Sequence, residues 1–161
     1  MIIPSGIAEF WASYCAAVGG VDESRFYEAF CFGDSEELAN RLAELALAGT
    51  KRATAATVWS FEVAGKRIPQ PGDLSVVTDW GGRALCVIET TRVDVMPFDE
   101  VSAEFAAVEG EGDGSLGYWR RGHTACFSRE CARSGRTFSE SMLISCERFE
   151  VVYPAPTQSA A

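Results

Sequence analysis

The spacing of apolar residues changes at Gly49, and this restricts the chain to folds that mix helices with short strands. Before Gly49, Leu38, Leu42 and Leu45 recur at helical spacing. After it, Thr, Val and aromatic residues gather in short runs cut by Pro and Gly. The first half therefore predicts two helices. One is capped by Ser5 and runs through Val18, with Ile7, Phe10, Trp11 and Tyr14 on one face. The other starts at Asp34, which has capping-box spacing to Glu37, and stops at Gly49. The second half predicts strands over Ala53–Phe61, Leu74–Trp80, Arg83–Val95 and Met142–Tyr153. Gly81-Gly82 supplies a tight turn and Pro97 a break. Two helices interrupt the strands. Asp99 caps the first, over Glu100–Val108, and Ser115 starts the second, which reaches Arg133.

The chain has 161 residues and reads as one domain over 1–153, beginning with a helical extension and followed by a flexible tail at 154–161. No apolar run reaches the ~18 residues of a membrane helix, and the N-terminus lacks the pattern of a signal peptide. A cytoplasmic protein is expected, with no membrane contact. The six cysteines form no CxxC pair, and there is one histidine. Free, buried thiols are expected, with no metal and no cofactor.

The net charge is −9, which works against a long grip on nucleic-acid phosphates. The charge is uneven, however. Residues 99–113 hold six acids and no base, and residues 115–148 hold six arginines and three acids. A small ligand such as one nucleoside suits this pattern better than a phosphate track. The sequence carries no signal of oligomeric state.

Three constellations carry chemistry. In Gly49-Thr50-Lys51-Arg52-Ala53-Thr54, a lysine stands at a helix–strand junction with a hydroxyl three positions on. Lys51 suits an anion, a carbonyl or proton transfer, and Thr54 offers a nucleophilic hydroxyl. Taken alone, the same residues also read as a solvated basic pair and a strand threonine. Glu109-Gly110-Glu111-Gly112-Asp113 sets three carboxylates at alternate positions. Carboxylates so spaced invite a divalent metal, without the twelve-residue calcium-loop pattern; crowded acids also raise one another's pKa, which suits a general acid or base, although an acidic loop capping a helix has the same sequence. In the third, Trp119, His123 and Phe127 recur every fourth residue, with Arg120, Arg121 and Ser128 alongside. Aromatics beside arginines stack bases and hold phosphates, and they equally build a packed helix face.

These segments resemble bacterial ASCH-domain proteins, of the PUA-like superfamily. The likeness runs through Gly49–Thr54, Val76–Trp80, Cys86–Val93, Pro97-Phe98, Glu109–Leu116, Trp119-Arg120, His123 and Cys146–Phe149, and spans residues 8–153. It implies an α+β fold, a PUA-like small β-barrel surrounded by helices, in a family whose relatives bind RNA. The family motif is Gly-x-Lys-x-x-Glu-x-Arg. Gly49 and Lys51 match it, while Thr54 and Ala56 replace the glutamate and the arginine. Small members with the Lys-x-x-Thr element deacetylate acetylcytidine, using a lysine, a threonine and a glutamate. Lys51 and Thr54 carry over, and Glu109 or Glu111 is the candidate acid. Other members cut single-stranded RNA.

The resemblance thus implies a hydrolase of a modified nucleoside, with Arg52, Trp119, Arg120, His123 and Ser128 as substrate contacts. A ribonuclease and a non-catalytic RNA-binding module are the alternatives. Lys51 and the segment 109–120 are expected to share one cleft. A lysine at a cleft surface would contribute little to stability.

Overall fold

The computed structural model describes residues 3–154. A single 3-10 turn at Ser5–Ile7 leads into α1 (Ala8–Ala17), with no side-chain cap at its start. α2 spans Glu36–Leu47, and its cap is Ser35, whose hydroxyl accepts from the Leu38 amide at 3.2 Å. Asp34, expected to cap, instead accepts two bonds from Arg129 on a distant helix. Likewise Ser102, not Asp99, caps α4 (Ala103–Glu109). In both places the serine, one to three residues on, has the extended backbone that a cap needs. Ser115 caps α5 (Leu116–Arg133), as its position suggests.

Five strands form one sheet: β1 (Phe26–Phe30), β2 (Ala53–Thr57), β3 (Leu74–Thr78), β4 (Ala84–Pro97) and β5 (Leu143–Tyr153). Their order is β1-β3-β4-β5-β2, with β1 parallel to β3 and the other pairs antiparallel. The run expected as one strand to Phe61 ends at Thr57, where α3 (Val58–Ala64) begins. This leaves β2 an edge strand five residues long, paired only with β5. Among the described residues nothing joins β2 to β1, so the sheet is open where a closed small barrel was expected.

Alternation along the strands assigns the two faces. On one face, Phe26, Leu74, Val76 and Val87 pack beneath α1, and Ala53, Ile144 and Cys146 pack against α4 and α5. On the other, Val77, Cys86, Ile88 and Phe149 pack against α2. A bulge between Thr90 and Arg92 reverses the alternation in β4. Ile88 therefore faces α2 while Met96 joins the opposite core.

All six cysteines are free, with Cys86, Cys131 and Cys146 buried and the other three half-buried. No described helix is long and apolar enough to cross a membrane. Of the tail expected at 154–161, residues 155–161 lie outside the described residues.

Candidate active site

The backbone brings Lys51 and the acidic loop together before any side chain acts. Gly49 ends the α2 turn, and the amides of Thr50 and Lys51 both donate to Leu45 O. The Arg52 amide then donates to Val108 O at 2.9 Å, and Arg52 O accepts from the Phe149 amide. This ties the chain before β2 to the end of α4 and to β5. Gly110 closes α4 with φ +67°, and a Cβ there would lie 2.2 Å from Thr50 O. Only glycine permits that approach, which holds Glu109 and Glu111 against Lys51.

Lys51 is not a rim residue: it is 2% exposed. Its Nζ donates to Ala53 O at 2.7 Å and to Glu109 Oε2 at 3.2 Å, with Glu111 Oε2 at 3.8 Å and the Phe32 ring centroid at 5.0 Å. Glu109 is 1% exposed, and its Oε1 accepts from Trp119 Nε1 at 3.0 Å. His123 stacks on Trp119 with ring centroids 4.1 Å apart. Its Nδ1 lies 2.8 Å from Trp119 O, a carbonyl that only accepts, so Nδ1 carries a proton. The other ring nitrogen, Nε2, faces Glu109 Oε1 at 3.2 Å and Glu111 Oε2 at 3.6 Å.

The arrangement separates two neighbouring carboxyls electrostatically. Burial works to raise both. For Glu109 the charges of Lys51 and His123 outweigh it and hold the group well below its ordinary range. For Glu111 burial, together with the hydrogen bond to Glu109, pushes the pKa up to about 7. Burial alone would lower His123, but the Glu109 and Glu111 carboxylates raise it above its usual value. Glu111 Oε2 is buried with no hydrogen-bond partner among the described residues. Glu109 is thus an ionised anchor, and Glu111 exchanges its proton near neutral pH.

These groups stand at one cavity of about 410 Å³ between α2 and α5. Thr54 lines it together with Lys51, Glu109, Glu111 and His123, and Phe32 and the leucines of α2 make its apolar side. Tyr118, which opens the aromatic and arginine run, also lines it, as does Arg41, which nothing local in the sequence marks. The remaining expected contacts lie elsewhere. Arg52 is exposed and does not line the cavity. Trp119 is 2% exposed and committed to Glu109 and His123, so it supports the site from behind instead of stacking on a ligand. Arg120 reaches Asp99 O on another surface, and Ser128 is outside the cavity. Glu109, Glu111 and His123 do offer one ligand atom each within 4.8 Å of one another, which is metal-like spacing. The Lys51 amine already occupies the place of the cation beside both carboxylates.

A pH dependence of stability follows. Glu111, and Glu147 on β5, have folded pKa values of about 7 against an ordinary 4.5. Between those values the folded chain binds more protons than the unfolded chain, so stability falls as pH rises across the window. His123, raised by folding, adds stability below its unfolded value that is lost as pH rises through its folded one. Glu109 acts oppositely, contributing above about pH 4.5 and losing its contribution on further acidification. Thermal melts should therefore give a higher Tm at pH 5.5 than at pH 8, by a stability difference on the order of 4 kcal/mol. A Tm that rose from pH 5.5 to pH 8 would contradict the assigned protonation.

Comparison with known proteins agrees with this architecture. The ASCH domain family model matches residues 28–153. The crystal structure of an ASCH domain from Lactobacillus crispatus JV V101 is 38% identical, with a TM-score of 0.84, covering 94% of this chain and 96% of that one. Protein EF3133 from Enterococcus faecalis V583 is 31% identical, with a TM-score of 0.83 and coverage of 91% and 88%. Hypothetical protein PH0355, at 18% identity and a TM-score of 0.52, shares the fold alone, over 79% of this chain and all of that one. No curated protein matches the chain. With the family model spanning most of the sequence and two crystal structures superposing over nearly the whole fold, this chain belongs to the ASCH domain family, whose fold is PUA-like.

Proposed function

We propose that the protein is an amidohydrolase that removes an acyl group from the exocyclic amine of a modified, RNA-derived nucleoside of the acetylcytidine type. The observation that carries this reading is the convergence of Lys51, Thr54, Glu109 and Glu111 on one cavity of about 410 Å³. That volume lies at the small end of the ~300–1,000 Å³ typical of ligand sites, and it suits one nucleoside better than a strand. The apolar wall of Phe32 and α2 leucines suits the flat base, and the polar floor suits an amide.

The residues divide the work. Lys51 uses two of its three hydrogens on Ala53 O and Glu109, and the third is available to a substrate carbonyl oxygen. Charge developing on that oxygen is then stabilised in a partly dry site. Thr54 Oγ1 attacks the carbonyl carbon and forms an ester as the C–N bond breaks. Glu111, protonated below about pH 7, gives its proton to the departing amine. Water then attacks the ester, Glu111 recovers a proton from it, and the carboxylic acid leaves as Thr54 regains its hydrogen. His123 and Trp119 hold Glu109, and through it Lys51, in place.

The test is acetate release from acetylcytidine by the wild-type protein, measured beside an acetylated lysine peptide. Turnover of the nucleoside with none of the peptide is expected. Absence of turnover with acetylcytidine would refute the assigned substrate class.

A further inference from the structure

The reaction above leaves one proton without an acceptor, namely the hydrogen of the Thr54 hydroxyl. Lys51 is already a donor to two oxygens, and Glu109 is fully engaged by Lys51, Trp119 and His123. The sheet register points to another group. Thr54 on β2 is the direct antiparallel partner of Glu147 on β5. Directly opposed residues present their side chains on the same face, with Cβ atoms ~4.5–5.5 Å apart. A glutamate carboxyl two carbons beyond its Cβ reaches a hydroxyl on the neighbouring Cβ at that spacing.

Glu147 has no structural reason to be a carboxylate. It is 9% exposed on the face of the sheet that otherwise packs Phe149, Val77 and Ile88 against α2. It has no cationic partner within salt-bridge distance among the described residues. Among the described residues its one side-chain hydrogen bond is from Thr90 Oγ1 on β4, which donates to Oε2 at 2.6 Å. A carboxylate has two oxygens, so Oε1 remains for a second donor. Burying such a group without a charge partner is unfavourable, and that points to a use.

We propose that Glu147, which does not itself line the cavity but is paired across the sheet with Thr54 on its wall, is the general base of the site, accepting the Thr54 proton as Oγ1 bonds to the substrate carbonyl carbon. The step balances. The proton moves from Thr54 Oγ1 to Glu147 Oε1, while Glu111 separately supplies the leaving amine. When water cleaves the ester, Glu147 returns its proton to Thr54 Oγ1 and Glu111 is reprotonated by the water. Both carboxyls end as they began.

The electrostatic surroundings agree with this role. Burial pushes Glu147 up to about 7, the bond from Thr90 opposes that, Glu28 and Asp73 add to it, and Lys51 opposes it. Glu28 is itself paired with Lys66, and Asp73 accepts two bonds from Arg67, so both are held in place. A base with a pKa near the working pH is half available and still strong enough to take the proton.

This inference rests on the amidohydrolase reading, but one arm of its test does not. The carboxyl carbon of Glu147 is followed by carbon-13 NMR across pH 5 to 9, in wild type and in Thr54→Val. A hydroxyl donating to a carboxylate favours its ionised form, so removing it should move the Glu147 midpoint upward. An unchanged midpoint would overturn the proposal whether or not acetylcytidine is a substrate. In the second arm, Glu147→Gln should lower kcat for acetate release on the order of 10²–10³-fold, with KM within about twofold and the limb of the pH profile near neutrality lost. Wild-type kcat in Glu147→Gln would overturn it equally. If wild type released no acetate, the substrate assignment would fail, and the NMR arm would still decide the Thr54–Glu147 pairing.

Discussion

Lys51→Met is expected to unfold about 3–5 kcal/mol more easily than wild type, a Tm fall of roughly 10 °C for a domain of this size. The expectation from sequence was the reverse, that a cleft lysine contributes little to stability. The structure changes the sign of the argument because Lys51 is 2% exposed and Glu109 is 1% exposed. Methionine has similar length and fills the space, so the core keeps its packing. What is lost is the cation beside Glu109, whose carboxylate then stays buried with only Trp119 and His123 to hold it. Removing one partner of a buried pair is far more damaging than removing both. The double variant Lys51→Met with Glu109→Gln should therefore be more stable than the sum of the two single losses predicts. Urea unfolding with an unchanged m-value would give both numbers. A Lys51→Met protein within about 0.5 kcal/mol of wild type would show that the pair is not buried in solution.

Thr54→Val should do the opposite, leaving the fold intact while removing activity. Valine is nearly the shape of threonine and suits an edge strand, so stability should change by less than about 1 kcal/mol. Acetate release should fall at least about 10³-fold, since residues that act as one nucleophilic unit fail together when any is removed. Thr54→Ser, which keeps a hydroxyl, should retain measurable turnover. If Thr54→Val kept wild-type kcat, water would be the attacking group and Thr54 only a wall of the cavity.

Much of this was legible locally, and the limits have physical causes. Ser115 and the stripe Trp119, His123, Phe127 define α5 from spacing alone, because capping and helical periodicity are local properties. The glycines of Glu109–Asp113 signalled a loop able to come close to something, and Gly110 does come within contact of Thr50. Of the three expected caps that fail, Ser5 lies within a 3-10 turn, while Asp34 and Asp99 are themselves good caps displaced by Ser35 and Ser102, with Asp34 drawn to Arg129 by a tertiary contact. Phe26–Phe30 was missed as a strand since its partner, β3, lies far along the chain and pairs in parallel. Val58–Ala64 has strand-forming residues yet is helical, a case of tertiary structure overriding propensity.

The site shows the same division. Lys51, Thr54, Glu109, Glu111 and His123 were marked by residue type and spacing, and the structure gathers them around one cavity. Spacing alone leaves Trp119 either a stacking platform or a packed residue, because a sequence does not show which side of a helix meets the core; it is buried. In the sequence Glu147 is one acid inside a largely apolar run ending in Tyr153. Its relation to Thr54 exists only through the β2–β5 register, which non-local pairing sets.

The central claim, that Thr54 attacks an acyl group in this cavity, is tested most directly by mass spectrometry of the protein quenched early in its reaction with acetylcytidine. One acetyl group should appear on the intact protein, map to the peptide containing Thr54, and be absent in Thr54→Val. Turnover without any acetylated protein in burst-phase samples, or an acetyl group mapping elsewhere, would contradict the account.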